Sequence, residues 1–209
     1  MSLTQYYTAT TLDGFIADAD NSLAWLFTRK REDDGLLNYG EFIAGVGAMA
    51  MGSTTYEWIL GHEFAGKDPA EWNWPYDIPC WVFTHRQLPV IPDARIEFTS
   101  ADIPTVHKEL TGAAGGRNVW IVGGGDLAGQ FADAGLLDEV LMVRRPVLPA
   151  PLARLGRRAA SQLPSSVFAL GSHREDPRRN LDQERVQVAL VPCPVDACDL
   201  VVVQSQRVL

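Results

Sequence analysis

The chain has 209 residues, of which 46% are apolar and 21% charged, and its formal net charge is −8. This length suits one domain, or one domain with an appendage, and is enough to bury a sizeable core. The negative charge argues against a general nucleic-acid or anionic-membrane surface. No apolar run approaches the roughly 18 residues of a membrane span, the first residues lack a signal-peptide pattern, and three scattered cysteines predict neither a disulfide framework nor a zinc site. We therefore expect a cytoplasmic protein without metal, nucleic-acid or membrane partners.

The chain up to residue 60 alternates apolar runs with segments of helical spacing. The predicted elements are a strand over 4–10, a turn at 12–14, an extended run over 15–17, a helix within 34–45, a buried parallel strand over 46–52, and a helix over 53–60 with Ser53 or Thr54 as its N-cap.

The same alternation continues to residue 143. Here the predicted elements are a long surface loop over 61–79, a strand followed by a turn over 80–86, a strand over 94–100, a helix over 102–110 with Pro104 in its first turn, and a strand, glycine turn, helix and strand over 118–143. Strands that alternate with helices predict a single α/β domain with a mostly parallel central sheet flanked by helices.

Three predicted strands end in small, hydroxyl or basic residues: "MGSTTY" (51–56), "FTHR" (83–86) and "IVGGGD" (121–126). In a parallel sheet, ligands bind beyond the carboxyl ends of the strands. Glycines permit close approach to the backbone, and the start of the following helix attracts an anion. These ends together suit a dinucleotide, with its pyrophosphate on the helix starts and a 2′-phosphate near Thr84 and Arg86.

Two other interpretations of the glycines stay open at this point. Gly123, Gly125 and Ala128 also fit the Rossmann pattern G-x-G-x-x-A. The acidic residues that follow, Asp138 and Glu139, come too soon and at the start of the next strand, whereas a Rossmann acid ends it. A purely structural tight turn is the other alternative.

Four segments carry a resemblance to a known family: "TLDGFIA", "VGAMAMGSTTYEWI", "PCWVFTHR" and "VWIVGGGDLAGQFADAGLLDEVLM". Their order over residues 3–143 is similar to that in the dihydrofolate-reductase-like fold. They most resemble the reductase domain of the bifunctional riboflavin-biosynthesis deaminase-reductase and its stand-alone relatives. The resemblance implies a reductase that binds NADPH and is often a homodimer.

By position, the resemblance also implies a set of cofactor-binding residues. They are Asp13 and Gly14 beside the nicotinamide, Gly52, Thr54 and Thr55 at the second phosphate-facing helix, Thr84 and Arg86 at the 2′-phosphate, and Gly123, Gly124 and Gly125 at the pyrophosphate.

The chain departs from the family in two places. Ser53 stands where relatives often have arginine, so a preference for NADPH depends on Arg86. The acid that helps folate-reducing members protonate the pterin would fall near Leu36, with Asp33 and Asp34 misplaced by about half a turn. Dihydrofolate is therefore disfavoured as the substrate, and the catalytic residues stay unassigned.

Several other side chains have plausible structural roles. We favour Trp25 and Phe27 as core or covered-loop residues, with stacking on a flat heterocycle as the alternative. We interpret His62 and His107 as surface residues, His85 as a candidate ligand contact, Asp126 as a helix cap, and Trp72, Trp74 and Tyr76 as either a substrate lid or a dimer contact.

The composition changes abruptly at Arg144. Residues 1–143 hold 8 Lys and Arg against 20 Asp and Glu, whereas residues 144–209 hold 10, all Arg, against 6, with one aromatic residue and seven prolines. We predict a nucleotide-binding domain over 1–143 and an atypical tail over 144–209 that is partly disordered or a weak hairpin of 185–191 with 199–206. A shift of reading frame near codon 144 would produce such a change, as would a divergent extension. We also predict that 146–182 lack a packed fold and that the sheet edge is left exposed.

The resulting hypothesis is an NADPH-dependent reductase of a small heterocyclic or carbonyl substrate. The alternative is a nucleotide-binding protein of the same fold without turnover.

Overall fold

The computed structural model describes residues 2–11, 15–18, 22–28, 39–144, 184–192 and 199–207. The strands in these ranges are β1 (Thr4–Thr10), β2 (Val46–Gly52), β3 (Cys80–Phe83), β4 (Ile96–Thr99), β5 (Asn118–Gly123), β6 (Glu139–Arg144), β7 (Glu184–Pro192) and β8 (Asp199–Arg207). The α-helices are α1 (Tyr39–Ala44), α2 (Ser53–Glu63), α3 (Ile103–Ala113) and α4 (Gly125–Asp133), with 3-10 turns at Ala24–Thr28 and Pro69–Glu71. The chain divides into two compact units, the first from 1–6 and 42–137 and the second from 7–41 and 138–209.

The first unit is built on a parallel sheet. Strand β2 pairs with β3 on one side and β5 on the other, β3 pairs with β4, and β5 pairs with the start of β1. Each of these pairs is parallel, which confirms the predicted mostly parallel sheet with intervening helices. The carboxyl ends of β2, β3, β4 and β5 therefore meet at one edge.

Strand β2 lies at the centre of this unit, and its apolar sequence explains why. Val46 and the run from Ala48 to Met51 are fully buried, as expected for a parallel strand covered on both faces. Gly47 is required by close packing, because a Cβ at this position would lie 2.2 Å from the carbonyl oxygen of Ala114, just after α3. The predicted strand over 46–52 is confirmed with its bounds.

Helix α3 begins as its sequence predicts. Asp102 is the N-cap, its side chain accepts a hydrogen bond from the Thr105 N–H at 3.0 Å, and Pro104 lies in the first turn. Ile103, Val106 and Leu110 are buried along one face of the helix. This spacing gives an amphipathic helix against the sheet.

The predicted surface loop over 61–79 is wrong in part. Helix α2 continues to Glu63, and the residues that follow supply core. Phe64 and Trp74 are buried, Trp72 stacks on Phe64 at 5.4 Å, and Trp74 lies 6.4 Å from the ring of Tyr56. The segment is polar in composition, but its aromatic side chains are buried because burying each ring removes a large apolar area from water. The rings of Trp72 and Trp74 therefore pack against other aromatic side chains of the unit, and the choice between a substrate lid and a dimer contact stays a prediction.

The described part of the second unit contains an antiparallel ladder. Strand β8 pairs with β6 on one side and with β7 on the other. This confirms the hairpin predicted from 185–191 and 199–206, and it shows that the prediction of an unpartnered edge is wrong for β6. Valine-rich runs favour strands, and here this preference outweighs the high arginine and proline content of residues 144–209. The prediction for 146–182 lies outside the described residues.

Two further predictions fall in the second unit. Residues 15–17 bend and do not form the predicted extended run, while the helix predicted within 34–45 is described only over its last part, as α1. Trp25 is buried in a 3-10 turn, whereas Phe27 in the same turn is 53% exposed. The interpretation as core is thus confirmed for Trp25 and wrong for Phe27.

Candidate functional site

The three predicted strand ends lie side by side. Strand β2 is hydrogen-bonded between β3 and β5, with Gly52 opposite Phe83 and Met51 opposite Gly123. The residues that follow these strands begin helix α2, the turn at 84–86, and the glycine turn before α4. All three predicted ligand-facing segments therefore belong to one edge of one unit.

The glycine turn leaves its backbone open. Gly123 has φ 151°, a conformation that favours glycine, and a Cβ there would lie 3.4 Å from the Thr55 hydroxyl oxygen. The Gly123–Gly124 peptide bond is cis. A Cβ on Gly124 would meet no atom of the described residues within 4 Å. The described part of the chain therefore leaves room for a ligand to approach the main chain at Gly124.

Helices α2 and α4 both begin without a side-chain cap. Their N-caps are Gly52 and Gly124, and neither helix start receives a side-chain hydrogen bond at the cap. The prediction of Ser53 or Thr54 as the N-cap is wrong, because both residues already lie inside α2. The first N–H groups of an α-helix have no partner within the helix, and a glycine cap supplies none. These two starts can therefore bind an anion through backbone donors and the helix dipole.

Asp126 is not the cap of α4 either. It is the second residue of the helix, and its carboxylate accepts a hydrogen bond from the Gln130 side chain at 2.9 Å. An acidic residue in the first turn is favourable to the helix dipole. It also places one negative charge beside the proposed anion site.

The turn after β3 is held by its own side chains. The Thr84 hydroxyl oxygen accepts a hydrogen bond from the Arg86 N–H at 2.9 Å, and the Thr84 N–H donates to the Thr99 carbonyl at 2.8 Å. The Tyr56 hydroxyl donates to the Pro89 carbonyl at 2.7 Å, which ties the segment beyond the turn to α2. The backbone around Thr84 and Arg86 is therefore fixed on two sides.

The Arg86 side chain reaches across to α2. Its guanidinium donates to both carboxylate oxygens of Glu57, at 2.6 and 2.9 Å, and to the Ser53 hydroxyl at 3.0 Å. The pair is partly exposed, with 56% of the Arg86 side chain and 41% of the Glu57 side chain accessible. Sequence reasoning missed Glu57, although it follows Ser53 by one helical turn and so shares its face.

The remaining predicted residues have mixed outcomes. Thr54 is exposed in the first turn of α2, Thr55 lies against Gly123, and Gly125 is the buried first residue of α4. Asp13 and Gly14 lie outside the described residues, as do Asp33, Asp34 and Leu36.

The histidines divide between surface and core. His62 and His85 are exposed, and His62 stacks on Trp58 within α2. His107 is half-buried, with its Nε2 2.9 Å from the Thr4 hydroxyl and its ring 6.1 Å from that of Phe131. The interpretation of His107 as a surface residue is wrong, because its ring fills space between α3 and α4.

The described residues offer neither a metal-binding cluster nor a membrane-spanning helix. They contain no group of three or more His, Cys, Asp or Glu side chains placed to hold a metal ion. No helix in the described part of the chain combines the length and the apolar character needed to cross a bilayer.

Burial strongly raises the pKa of the Cys80 thiol, the described free cysteine, which keeps it protonated and unreactive.

Comparison with known proteins agrees with this geometry. The model of the RibD C-terminal domain matches residues 4–149. The uncharacterized protein YwjB of Bacillus subtilis (strain 168) is 30% identical over 147 residues, which cover 69% of this chain and 77% of that protein.

Solved structures share the fold at low identity. A protein of Shewanella sp. PV-4 provisionally assigned to riboflavin biosynthesis matches with a TM-score of 0.65 and 20% identity, covering 98% of this chain and 99% of that one. The diaminohydroxyphosphoribosylaminopyrimidine deaminase/5-amino-6-(5-phosphoribosylamino)uracil reductase of Thermotoga maritima matches with 0.54 and 16%, over 98% of this chain and 57% of that one. Dihydrofolate reductase of Enterococcus faecalis, complexed with NADP(H), matches with 0.52 and 13%, over 98% and 96%. The fold is dihydrofolate-reductase-like, and the chain belongs to the family of the RibD C-terminal domain.

Proposed function

We propose that this protein is an NADPH-dependent reductase of a small heterocyclic or carbonyl substrate. The observation that carries the proposal is the pair of uncapped helix starts, α2 and α4, beside the open backbone at Gly124. A pyrophosphate needs several hydrogen-bond donors, a positive potential and room beside the main chain. This edge of the sheet supplies each of them, so its residues fit a dinucleotide.

The residues divide the cofactor between them. In this proposal the backbone N–H groups at the starts of α2 and α4 hold the pyrophosphate, and Thr84 and Arg86 face the 2′-phosphate. Asp13 and Gly14 are proposed, by position in the family, to lie beside the nicotinamide. When bound, the nicotinamide supplies the hydride, and the protein supplies position and electrostatics. No described side chain is needed as a nucleophile, which fits the unassigned catalytic residues.

The relatives support the class of substrate. The Thermotoga maritima neighbour is a reductase of a substituted uracil, and the Enterococcus faecalis neighbour is a dihydrofolate reductase. Both names concern flat nitrogen heterocycles, which motivates a heterocyclic substrate here. We further propose a homodimer, which sedimentation velocity measures directly.

Binding and turnover are tested in two steps. Titration of NADPH followed by nicotinamide fluorescence is expected to saturate, and absence of binding at millimolar cofactor contradicts the proposal. Oxidation of NADPH is then followed with a panel of pterins, pyrimidine ribityl compounds and quinones. Oxidation with one member identifies the substrate class. Tight binding without oxidation across the panel instead supports a nucleotide-binding protein without turnover.

A further inference from the structure

The ion pair between Arg86 and Glu57 occupies the predicted 2′-phosphate position. Arg86 gives two hydrogen bonds to the Glu57 carboxylate and one to Ser53. A two-point contact of this kind is the strong form of an arginine–carboxylate pair. The cation on which a preference for NADPH depends is therefore already paired with an anion of the same chain.

We propose that Glu57 is a specificity-determining residue, which weakens the preference for NADPH over NADH. This inference rests on the proposed function, since it requires a dinucleotide at this edge of the sheet. It adds a residue, and a direction of effect, that neither the glycine motifs nor Arg86 alone provides.

The charges explain why the Arg86–Glu57 pair weakens the binding of NADPH. A phosphate monoester carries a charge of about −1.5 to −2 at neutral pH. Arg86 alone would attract it, but the Arg86–Glu57 pair has no net charge, and the carboxylate repels the phosphate. To contact Arg86, the phosphate must replace Glu57 or share the guanidinium with it. Because both side chains are partly exposed, the pair can open, and NADPH is weakened but not excluded.

The chemistry of the ribose explains why the same pair accepts NADH. Its 2′-hydroxyl is neutral and can donate a hydrogen bond to a carboxylate, as the acidic residue of NAD-binding sites does, whereas arginine serves the 2′-phosphate. The Arg86–Glu57 pair presents both partners within one cluster. A dinucleotide that lacks the 2′-phosphate thus finds an acceptor in Glu57 without breaking the pair.

The test uses two fragments that differ only in the 2′-phosphate, adenosine 2′,5′-diphosphate (2′,5′-ADP) and adenosine 5′-monophosphate (5′-AMP). Their dissociation constants are measured by titration calorimetry for the wild-type protein, Glu57→Gln and Glu63→Gln, and the same variants are titrated with NADPH and NADH. Glu63 is a matched control, because it is an exposed carboxylate at the far end of the same helix. Its replacement changes the net charge by the same amount.

We expect Glu57→Gln to tighten binding of 2′,5′-ADP by about tenfold, the equivalent of 1.4 kcal/mol, and to leave the affinity for 5′-AMP within about twofold. Glu63→Gln should leave the ratio of the two constants unchanged. The gain should shrink at about 1 M salt, where the screening length is roughly 3 Å.

The failures are distinguishable. If wild type and Glu57→Gln bind both fragments and both cofactors but with the same ratio, the inference is overturned and the proposed function stands. If neither the wild-type protein nor Glu57→Gln binds any of the four ligands, the inference and the proposed function are overturned together.

Discussion

Helices α2 and α4 begin with glycine caps, whereas α3 begins with Asp102, although all three follow parallel strands of one sheet. At α3 the aspartate accepts a hydrogen bond from the Thr105 N–H in the first turn. At α2 and α4 the glycine caps accept no such bond through a side chain. A helix without a capping side chain lacks the stabilising free energy that such a side chain contributes. The contrast separates a helix start that the chain stabilises itself from the two starts to which we assign the proposed cofactor.

The glycines show the same division, and the largest effect is expected at Gly47. Gly47→Ala places a Cβ 2.2 Å from the Ala114 carbonyl oxygen, a backbone atom that cannot rotate away. We expect a loss of about 3 kcal/mol or more in the free energy of unfolding, as for severe overpacking. Denaturant unfolding measures it, and a loss below about 1 kcal/mol would contradict the packing argument.

Gly124→Ala should act mainly on cofactor affinity, whereas Gly47→Ala should act on stability. Its Cβ would enter open space, and the residue has φ −81°, so the side chain should be tolerated by the protein but not by a pyrophosphate above it. We expect NADPH affinity to fall by about tenfold or more, with a melting temperature lower by at most about 4 °C, because alanine is a poorer N-cap than glycine.

Gly112→Ala is the control for Gly124→Ala, since its Cβ also meets nothing within 4 Å but lies in α3. It should leave NADPH affinity unchanged. Equal affinity for NADPH in the wild type and Gly124→Ala would mean that the glycine turn has a structural role alone.

Gly52→Asp would convert an uncapped start into a capped one. Gly52 has φ −81° and ψ 161°, the extended conformation of an N-cap, and its Cβ would make ordinary contacts. We expect the free energy of unfolding to rise by about 0.5 kcal/mol through the cap and the helix dipole. Affinity for NADPH should fall, because the carboxylate competes for the same N–H groups. If stability and affinity changed in the same direction, the proposed exchange between capping and binding would be wrong.

Asp102→Ala should affect stability alone. Hydrogen bonds from the Thr105 N–H and hydroxyl lower the pKa of Asp102 below its usual value. Its contribution is therefore present above the unfolded-state pKa and is lost as the pH falls through the folded-state value. We expect a melting temperature lower by roughly 2–4 °C at pH 7, with the difference vanishing in acid and with unchanged NADPH affinity. A persistent difference at low pH would assign the loss to something other than the carboxylate.

Much of the fold and of the site's location was predictable from the sequence. The buried run of β2, the Asp102–Pro104 start of α3 and the three strand ends each carry a local signal that the tertiary structure reinforces. The hairpin of β7 and β8 was also visible in its valines. The pairing of β8 with β6 was not predictable from the sequence, because strand order depends on contacts between residues that are distant in the chain.

Two features of the site needed the structure for another reason. Ser53 and Thr54 are good N-caps by propensity, yet the helix begins at Ser53 because the register of β2 brings Gly52 to the cap. Glu57 looks like an ordinary solvated acid on α2, and only the folded turn brings Arg86 to it. Propensity ranks residue types, but it carries no information about which side chain lies opposite.

The hydrogen bond from Tyr56 to Pro89 has a consequence for the range of acidity in which the site keeps its shape. Burial raises the pKa of Tyr56 to about 12, so the hydroxyl remains a donor far above neutral pH. Because the folded-state pKa exceeds the unfolded-state value, the stabilisation is complete below the latter, near 10, and is lost as the pH rises through about 12. The anchor that ties the Arg86 turn to α2 should therefore be insensitive to pH throughout the physiological range, and any change of cofactor affinity there must come from other groups.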